Sequence, residues 1–278
     1  MCSIKFWGVR GSIPTPGPST VKTGGNTSCV EVRCGGKILI FDAGTGIREL
    51  GNSLLKELPV TAYLFFSHVH WDHIQGFPFF TPGFIKGNRF ELYGASHVTN
   101  TLEETLKGQM NYPNFPVTLD SMAAEMIFHD IDDGDIISLG EIKVYAKKLN
   151  HPGGVLGYKV EYKGKKIVYA TDTEPLEDGQ PPQSLLELSS NADLLIHDAQ
   201  YLPEEYTGED GSIPKKGWGH STYIHAIEVA KLCNVKKLVL FHHDPSHNDT
   251  IIERIEKETK KLFQEVIIAR EGLEIKLI

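Results

Sequence analysis

No run in this 278-residue chain approaches the ~18 consecutive apolar residues of a membrane span, and the Met1-Cys-Ser-Ile-Lys-Phe6 start carries no apolar signal segment. A cytoplasmic protein with no membrane partner is the expectation. Cysteine is scarce. Cys2, Cys29, Cys34 and Cys233 show no Cys-x-x-Cys spacing, so neither a zinc knuckle nor a disulfide framework is indicated and all four read as small core or surface thiols. Bases are outnumbered, 28 against 36 acids for a net charge of -8, which speaks against a protein held to nucleic acid mainly through phosphates. Stable nucleic-acid binding is not expected. No linker or low-complexity stretch divides the chain, so 1–278 reads as one domain. Gly44-Thr-Gly-Ile-Arg48 lacks the third glycine of a dinucleotide fingerprint, and Ser12 and Ser67 lack a nucleophile motif.

What is present is a 40% hydrophobic chain, ordinary for a globular protein, with many short apolar runs of strand length. Ile4–Trp7, Ser28–Arg33, Lys37–Phe41, Ala62–Phe66 and Phe90–Tyr93 read as strands, with Gly35-Gly36 as a tight hairpin turn. In the second half the strands are Ile142–Tyr145, Leu156–Tyr162, Lys165–Ala170, Asp193–Ile196 and Lys237–Phe241. Helical spacing covers Thr99–Gln109, Pro182–Ser190, Thr222–Cys233 and Asp249–Phe263, while Glu177–Pro182 and Glu204–Lys216 read as surface loops. Two sets of strands with helices between and after them predict an α/β two-sheet sandwich with helices outside.

The densest chemistry is His68-Val-His-Trp-Asp-His73, four metal-binding side chains within six residues at the end of an apolar strand. His68 and His70, two apart, point the same way, while Asp72 and His73 can reach a second ion. Other polar residues also follow apolar strands: His151, Asp172, Asp198 and the His242-His243 pair. Strand ends on one edge of a sandwich share a face, so these residues converge. The count suits two divalent ions, one on His68, His70 and His151, the other on Asp72, His73 and His242, with the Asp172 carboxylate bridging. Two ions about 3.5–4 Å apart activate a shared water and stabilise attacking and leaving oxygens, which is hydrolytic chemistry. Zn2+ suits the N/O donors best, with Mn2+ and Fe2+ as alternatives. His243 is the alternative to His242. His97, His129, His225 and His247 have no ligand partners by spacing and read as surface or packing residues.

From Phe6-Trp-Gly-Val-Arg-Gly-Ser-Ile-Pro14 to the His242 region the chain resembles a metallo-β-lactamase superfamily hydrolase, which implies an αββα four-layer sandwich. Phe41-Asp-Ala-Gly44 resembles the segment backing the metals, Asn150–Tyr158 the third-histidine segment, and Tyr169-Ala-Thr-Asp-Thr173 the bridging-aspartate strand. Leu195–Gln200 and Gly219-His-Ser-Thr222 resemble two motifs of ribonuclease Z. That similarity pairs Asp198 with His220, so that a protonated His220 stabilises the phosphorane or protonates the leaving oxygen while Asp72 orients the bridging hydroxide. Ribonuclease Z carries a long arm between its third histidine and bridging aspartate. Only Pro152–Thr171 stands there in this chain.

The Gly24–Ser28 loop, the Tyr112–Pro116 loop and Phe241-His-His-Asp-Pro245 look instead like the small cyclic-nucleotide phosphodiesterases. The resemblance therefore implies hydrolysis of a small phosphodiester, first a 3′,5′-cyclic nucleotide, by a metal-bridging hydroxide. Tyr112, Phe115 and Trp218 would form its base-stacking wall, and homodimerisation follows by analogy with that branch. The alternatives are a ribonuclease Z-like RNA-processing nuclease, a di-iron redox protein, disfavoured by His70 where that branch has Glu, and a non-catalytic metal-dependent nucleotide sensor.

Overall fold

The computed structural model describes residues 2–95 and 100–277. One mixed sheet contains β1 (Cys2–Gly8), β2 (Cys29–Cys34), β3 (Lys37–Phe41), β4 (Thr61–Phe65), β5 (Arg89–Ala95) and β6 (Glu125–Ile131). The other contains β7 (Ile136–Leu139), β8 (Ile142–Leu149), β9 (Val155–Tyr162), β10 (Lys165–Ala170), β11 (Leu194–Asp198), β12 (Leu238–Phe241) and β13 (Val266–Ile268). The C-terminal β14 (Glu274–Leu277) returns to the first sheet, giving the orders β14-β1-β2-β3-β4-β5-β6 and β13-β12-β11-β10-β9-β8-β7. Helices α1 (Gly46–Leu54), α2 (Trp71–Ile74) and α3 (Leu102–Gln109) follow strands of the first sheet. Helices α4 (Gln183–Ser189), α5 (Pro203–Thr207), α6 (Tyr223–Leu232) and α7 (Asp249–Leu262) accompany the second.

Three apolar cores account for the αββα layering: one between the sheets, one under α1 and α3, and one under α4, α6 and α7. The central strands β11 and β12 are buried at every position because both faces are covered, so they read as unbroken apolar runs. β8, with one face partly open, alternates. Between the sheets, Phe41 and Phe65 stack at 5.5 Å, and Phe41 also meets Tyr158 and Tyr169 at 5.7 and 5.4 Å. Phe41 and Phe65 are the last residues of β3 and β4, so this cluster lies beneath the strand ends that emerge into the polar site. Truncating Phe41 to alanine would leave a cavity costing about 3–5 kcal/mol.

The predicted strands and helices form with shifts of a few residues. The hairpin at Gly35-Gly36 has positive φ at both positions, 56° and 75°, the twist a two-residue turn requires. Several features differ from the sequence reading. Cys2 and Cys34 are not thiols but a disulfide, because antiparallel β1 and β2 place them directly opposite with Cα atoms 4.6 Å apart. The Gly44–Arg48 turn runs straight into α1, whose Ile47, Leu50, Gly51 and Leu54 bury one face. A helical turn, α5, forms inside the expected loop Glu204–Lys216, started by Pro203 and closed by Gly208 at φ 79°. β6 and β7 carry partly exposed positions and escape notice as apolar runs. The helix expected from Thr99 starts at Leu102, where Thr101 and Glu104 make a reciprocal capping box. Thr99 and His97 lie outside the described residues.

Candidate dinuclear metal site

The polar residues of interest leave the C-terminal ends of strands: Asp42 after β3, Ser67 to His70 after β4, His151 after β8, Asp172 after β10, Asp198 on β11 and His242 after β12. β3 and β4 run parallel, as do β10, β11 and β12, so these ends gather on one edge of the sandwich. Three of the residues, Asp42, Asp172 and His242, hold left-handed φ values of 60°, 51° and 62°. Such backbone costs roughly 1–3 kcal/mol per non-glycine residue and persists only where the surroundings impose it. Here it turns each side chain from its strand into the site.

Three donor groups result, and two of them correspond to the expected ions. His68, His70, His151 and Asp172 place one ligand atom each within 4.8 Å of one another, and Asp72, His73, Asp172 and His242 do the same. Asp172 belongs to both, and a third group joins it and His242 to Asp198 and His220. Nitrogen His73 Nε2 lies 3.3 Å from Asp72 Oδ2, from Asp172 Oδ1 and from His242 Nε2. Tetrahedral ligands about 2.1 Å from an ion stand about 3.4 Å apart, so the spacing fits a shared cation. His243 turns away and donates from Nε2 to the Ala269 carbonyl at 3.0 Å, leaving His242 as the neighbour that joins the set.

The hydrogen bonds fix tautomers that suit metal binding. His151 Nδ1 donates to the Gly219 carbonyl at 2.9 Å, directing the Nε2 lone pair to His70 Nδ1, 3.2 Å away. His73 Nδ1 donates to Asp42 at 2.7 Å, freeing Nε2 for a cation. His68 Nε2 is buried with no hydrogen-bond partner, which an ion would satisfy. Asp42 itself accepts from the Ser67 amide, Ser67 Oγ, His73 and Tyr169, a set of donors that holds a buried carboxylate in place.

The electrostatics agree. Burial pushes the His68, His70 and His151 imidazoles down, keeping them neutral donors. Burial opposes charge at His73 too, but Asp172, Asp72 and Asp42 outweigh it and raise its hold on a proton. The same field favours a metal cation. Burial also works against the Asp72 and Asp172 carboxylates, yet the surrounding histidines hold both below the usual carboxylate range. Asp72 additionally accepts the Ser12 amide at 2.7 Å.

Beside the second set, His220 Nδ1 donates to Asp198 Oδ2 at 2.7 Å, and the other Asp198 oxygen accepts the Gln200 and Ser221 amides. Burial lowers His220, but Asp198 and then Asp172 and Asp72 overcome this and push it up to about 9. Its ring stacks 5.0 Å from that of His242. Gly219 is required where it stands: a Cβ there would lie 2.2 Å from His151 Nδ1, at φ +90°. Likewise a Cβ at Gly11 would press on the His242 ring at 2.5 Å.

The three aromatics expected to stack on a base occupy different settings. Trp218, half exposed under Lys215 Nζ at 4.2 Å, adjoins the His220 loop. Tyr112 is 91% exposed at the tip of its loop, and Phe115 packs edge-on against Phe79 at 5.6 Å. The sequence reading passed over Trp71, which is 80% exposed between His70 and Asp72. A cleft of about 600 Å3 opens beside His151, walled by Asn150, Pro152, Glu174, Glu177 and Lys216. Of the remaining histidines, His129 stacks on Tyr93, His225 accepts the Thr222 amide at the start of α6, and His247 contacts Glu205.

Comparison with known proteins places these observations in a family. A family model described as "Beta-lactamase superfamily domain" matches residues 37–243. Ribonuclease Z of Picrophilus torridus is 26% identical over 320 aligned positions, covering 98% of this chain and 94% of that protein. Ribonuclease Z of Pyrococcus horikoshii is 24% identical over 301 positions, 89% of this chain and 88% of the relative. Among solved structures, the short form of human tRNase Z superposes with TM-score 0.68 at 24% identity, covering 99% of each chain. A diphosphatase of the PhnP family superposes with TM-score 0.73 at 20% identity, covering 100% of this chain and 98% of that one.

Proposed function

The chain belongs to the beta-lactamase superfamily as a metal-dependent hydrolase of phosphodiester bonds, and from that premise we propose that its substrate is RNA, cleaved in the manner of a ribonuclease Z. The observation that carries the reading is the buried Asp198–His220 pair, 2.7 Å apart beside two histidine-aspartate donor sets. Similarity to proteins named ribonuclease Z over nearly the full chain moves the weight from the cyclic nucleotide expected first to the RNA alternative.

Two divalent ions, Zn2+ by the donor chemistry, would when bound supply Lewis acidity toward the phosphoryl oxygens and a water nucleophile at neutral pH. His68, His70 and His151 would hold one, Asp72, His73 and His242 the other, and Asp172 would touch both. The protein's own work is positional and protonic. Asp198 fixes the His220 tautomer with Nδ1–H committed, so Nε2–H is the proton available to the leaving oxygen. The Ser12 amide holds the Asp72 oxygen that faces His73 and His242, and so fixes this carboxylate beside the second donor set. Trp71 and Trp218 offer exposed rings for stacking nucleobases near the cleavage point, worth about 1–3 kcal/mol per base.

One observation favours a second reading. β9 and β10 are joined by the tight turn Lys163-Gly164, with φ 48° and 77°, at the place where the resemblance puts an RNA-gripping arm. Without that arm a small phosphodiester such as 3′,5′-cyclic AMP is the competing substrate. Initial rates on a precursor tRNA and on cyclic AMP, with Zn2+- and Mn2+-loaded protein, decide between them. Preferred cleavage of the tRNA is expected; hydrolysis of cyclic AMP alone would replace the RNA reading with the second.

A further inference from the structure

Glu174 stands two residues beyond Asp172, buried in the wall of the cleft, and ties three parts of the site together. Its Oε1 accepts the Gly217 amide at 2.6 Å and the Tyr206 hydroxyl at 2.7 Å, and its Oε2 accepts the Gly219 amide at 2.8 Å. Its backbone N–H donates to the Asn150 carbonyl at 2.9 Å, and its carbonyl accepts from Asn150 Nδ2 at 3.0 Å. One residue is therefore bonded to the turn before His151 and to the loop that carries Trp218 and His220, while following Asp172 in the chain.

The Trp218 amide closes a turn onto the Lys215 carbonyl at 3.0 Å, and His220 and Ser221 are tied to Asp198, but the Gly217 and Gly219 amides between them are held by Glu174. Gly217 and Gly219 take φ values of +88° and +90°, conformations open to many alternatives in a free chain. The Gly219 carbonyl fixes His151 by accepting its Nδ1–H, and the next residue is His220. A carboxylate gripping both glycine amides thus sets the positions of a metal donor and of the proton donor at once. We infer that Glu174 is a positioning residue of the hydrolase, its two oxygens setting the Gly217–Gly219 loop so that His220 and His151 keep their places relative to Asp172. It touches neither substrate nor metal. The inference rests on phosphodiester hydrolysis and not on RNA as the substrate.

Glu174→Gln keeps the shape but turns an NH2 group toward one of the amide donors, so one loop bond is lost and a repulsion replaces it. On bis(p-nitrophenyl) phosphate, kcat should fall about 10–100-fold, the effect of an ångström-scale misplacement, with KM within about twofold. Amide exchange in the peptide spanning 215–222 should accelerate at least tenfold, with protection elsewhere unchanged. Tyr206→Phe, which removes only the donor outside the loop, should stay within about threefold of the parent. Should Glu174→Gln fail to fold, Glu174→Asp keeps the charge at shorter reach and should show the same loop exchange with a smaller fall in kcat. Parent-like kcat, or unchanged exchange in 215–222, would overturn the inference. So would Tyr206→Phe matching Glu174→Gln, because burial of the carboxylate rather than its hold on the loop would then be the cause. None of these results depends on whether the parent cleaves tRNA.

Discussion

His68, His70 and His151 offer three imidazoles with only the shared Asp172 carboxylate, and His70 is exposed. Asp72, His73 and His242 are all buried, face Asp172 as well as Asp72, and have the Asp42 carboxylate hydrogen-bonded behind His73. Negative charge and exclusion of water both strengthen the hold on a cation, so the second set should bind its ion more tightly than the first. The exposed set, which adjoins the cleft beside His151, is then the one expected to exchange its ion. On that reading one ion would have a mainly structural hold while the other would be open to substrate.

The largest effect should come from the one residue the two sets share. Asp172→Ala should drop bound metal below one ion per chain and activity by at least about a thousandfold, read by elemental analysis alongside turnover. Retention of either ion at full occupancy would show that the sets are independent.

The asymmetry itself is tested by partial removal. Limited chelation, or His70→Ala, should yield a protein with one ion, still bound at the second set, and an affinity gap of about 10–100-fold between the two ions. Stepwise loss in the opposite order, with the remaining Co2+ absorption of the substituted protein abolished by His70→Ala, would reverse the assignment.

A smaller effect is expected beside the metals rather than on them. Asp198→Asn should keep both ions and lower kcat by about 10–100-fold. The sign of its pH dependence follows from His220, raised from an ordinary 6.5 to about 9 chiefly by Asp198 once burial is overcome. The protonated ring is present through neutral pH and lost as pH rises through about 9. Any stability it contributes is complete below 6.5 and disappears over that same interval. With Asp198 neutralised, the alkaline fall in activity should move toward neutral pH. An unmoved limb would assign that limb to another group.

Much of this site was legible because its donors are local or recur in one context. His68 to His73 form a run, and His151, Asp172, Asp198 and His242 each follow an apolar strand. Strand direction does the rest, since parallel neighbours bring their ends to one edge. What escaped notice depends on partners remote in sequence. Glu174 stands just past the bridging-aspartate segment, and its carboxylate bonds to two glycine amides more than forty residues away. The Cys2–Cys34 bond needs the register of β1 against β2, which the composition of neither strand reveals. β6 and β7 are not legible as strands because partial exposure breaks the apolar pattern.

Ser67 shows the same limit and gives the finest test of the comparison. With no nucleophile motif it invited no role, yet its hydroxyl lies 3.1 Å from His68 Nδ1 and 2.8 Å from Asp42 Oδ2. If His68 uses Nε2 for metal, Nδ1–H must donate to Ser67, whose own proton goes on to Asp42. Asp42 therefore backs His73 directly but reaches the first set only through this hydroxyl. Ser67→Ala should weaken the first ion by about tenfold and the second by less, measured as two separate chelator-competition constants. Equal weakening would mean that Ser67 acts by holding Asp42 alone, and the first set would then lack any carboxylate support beyond Asp172.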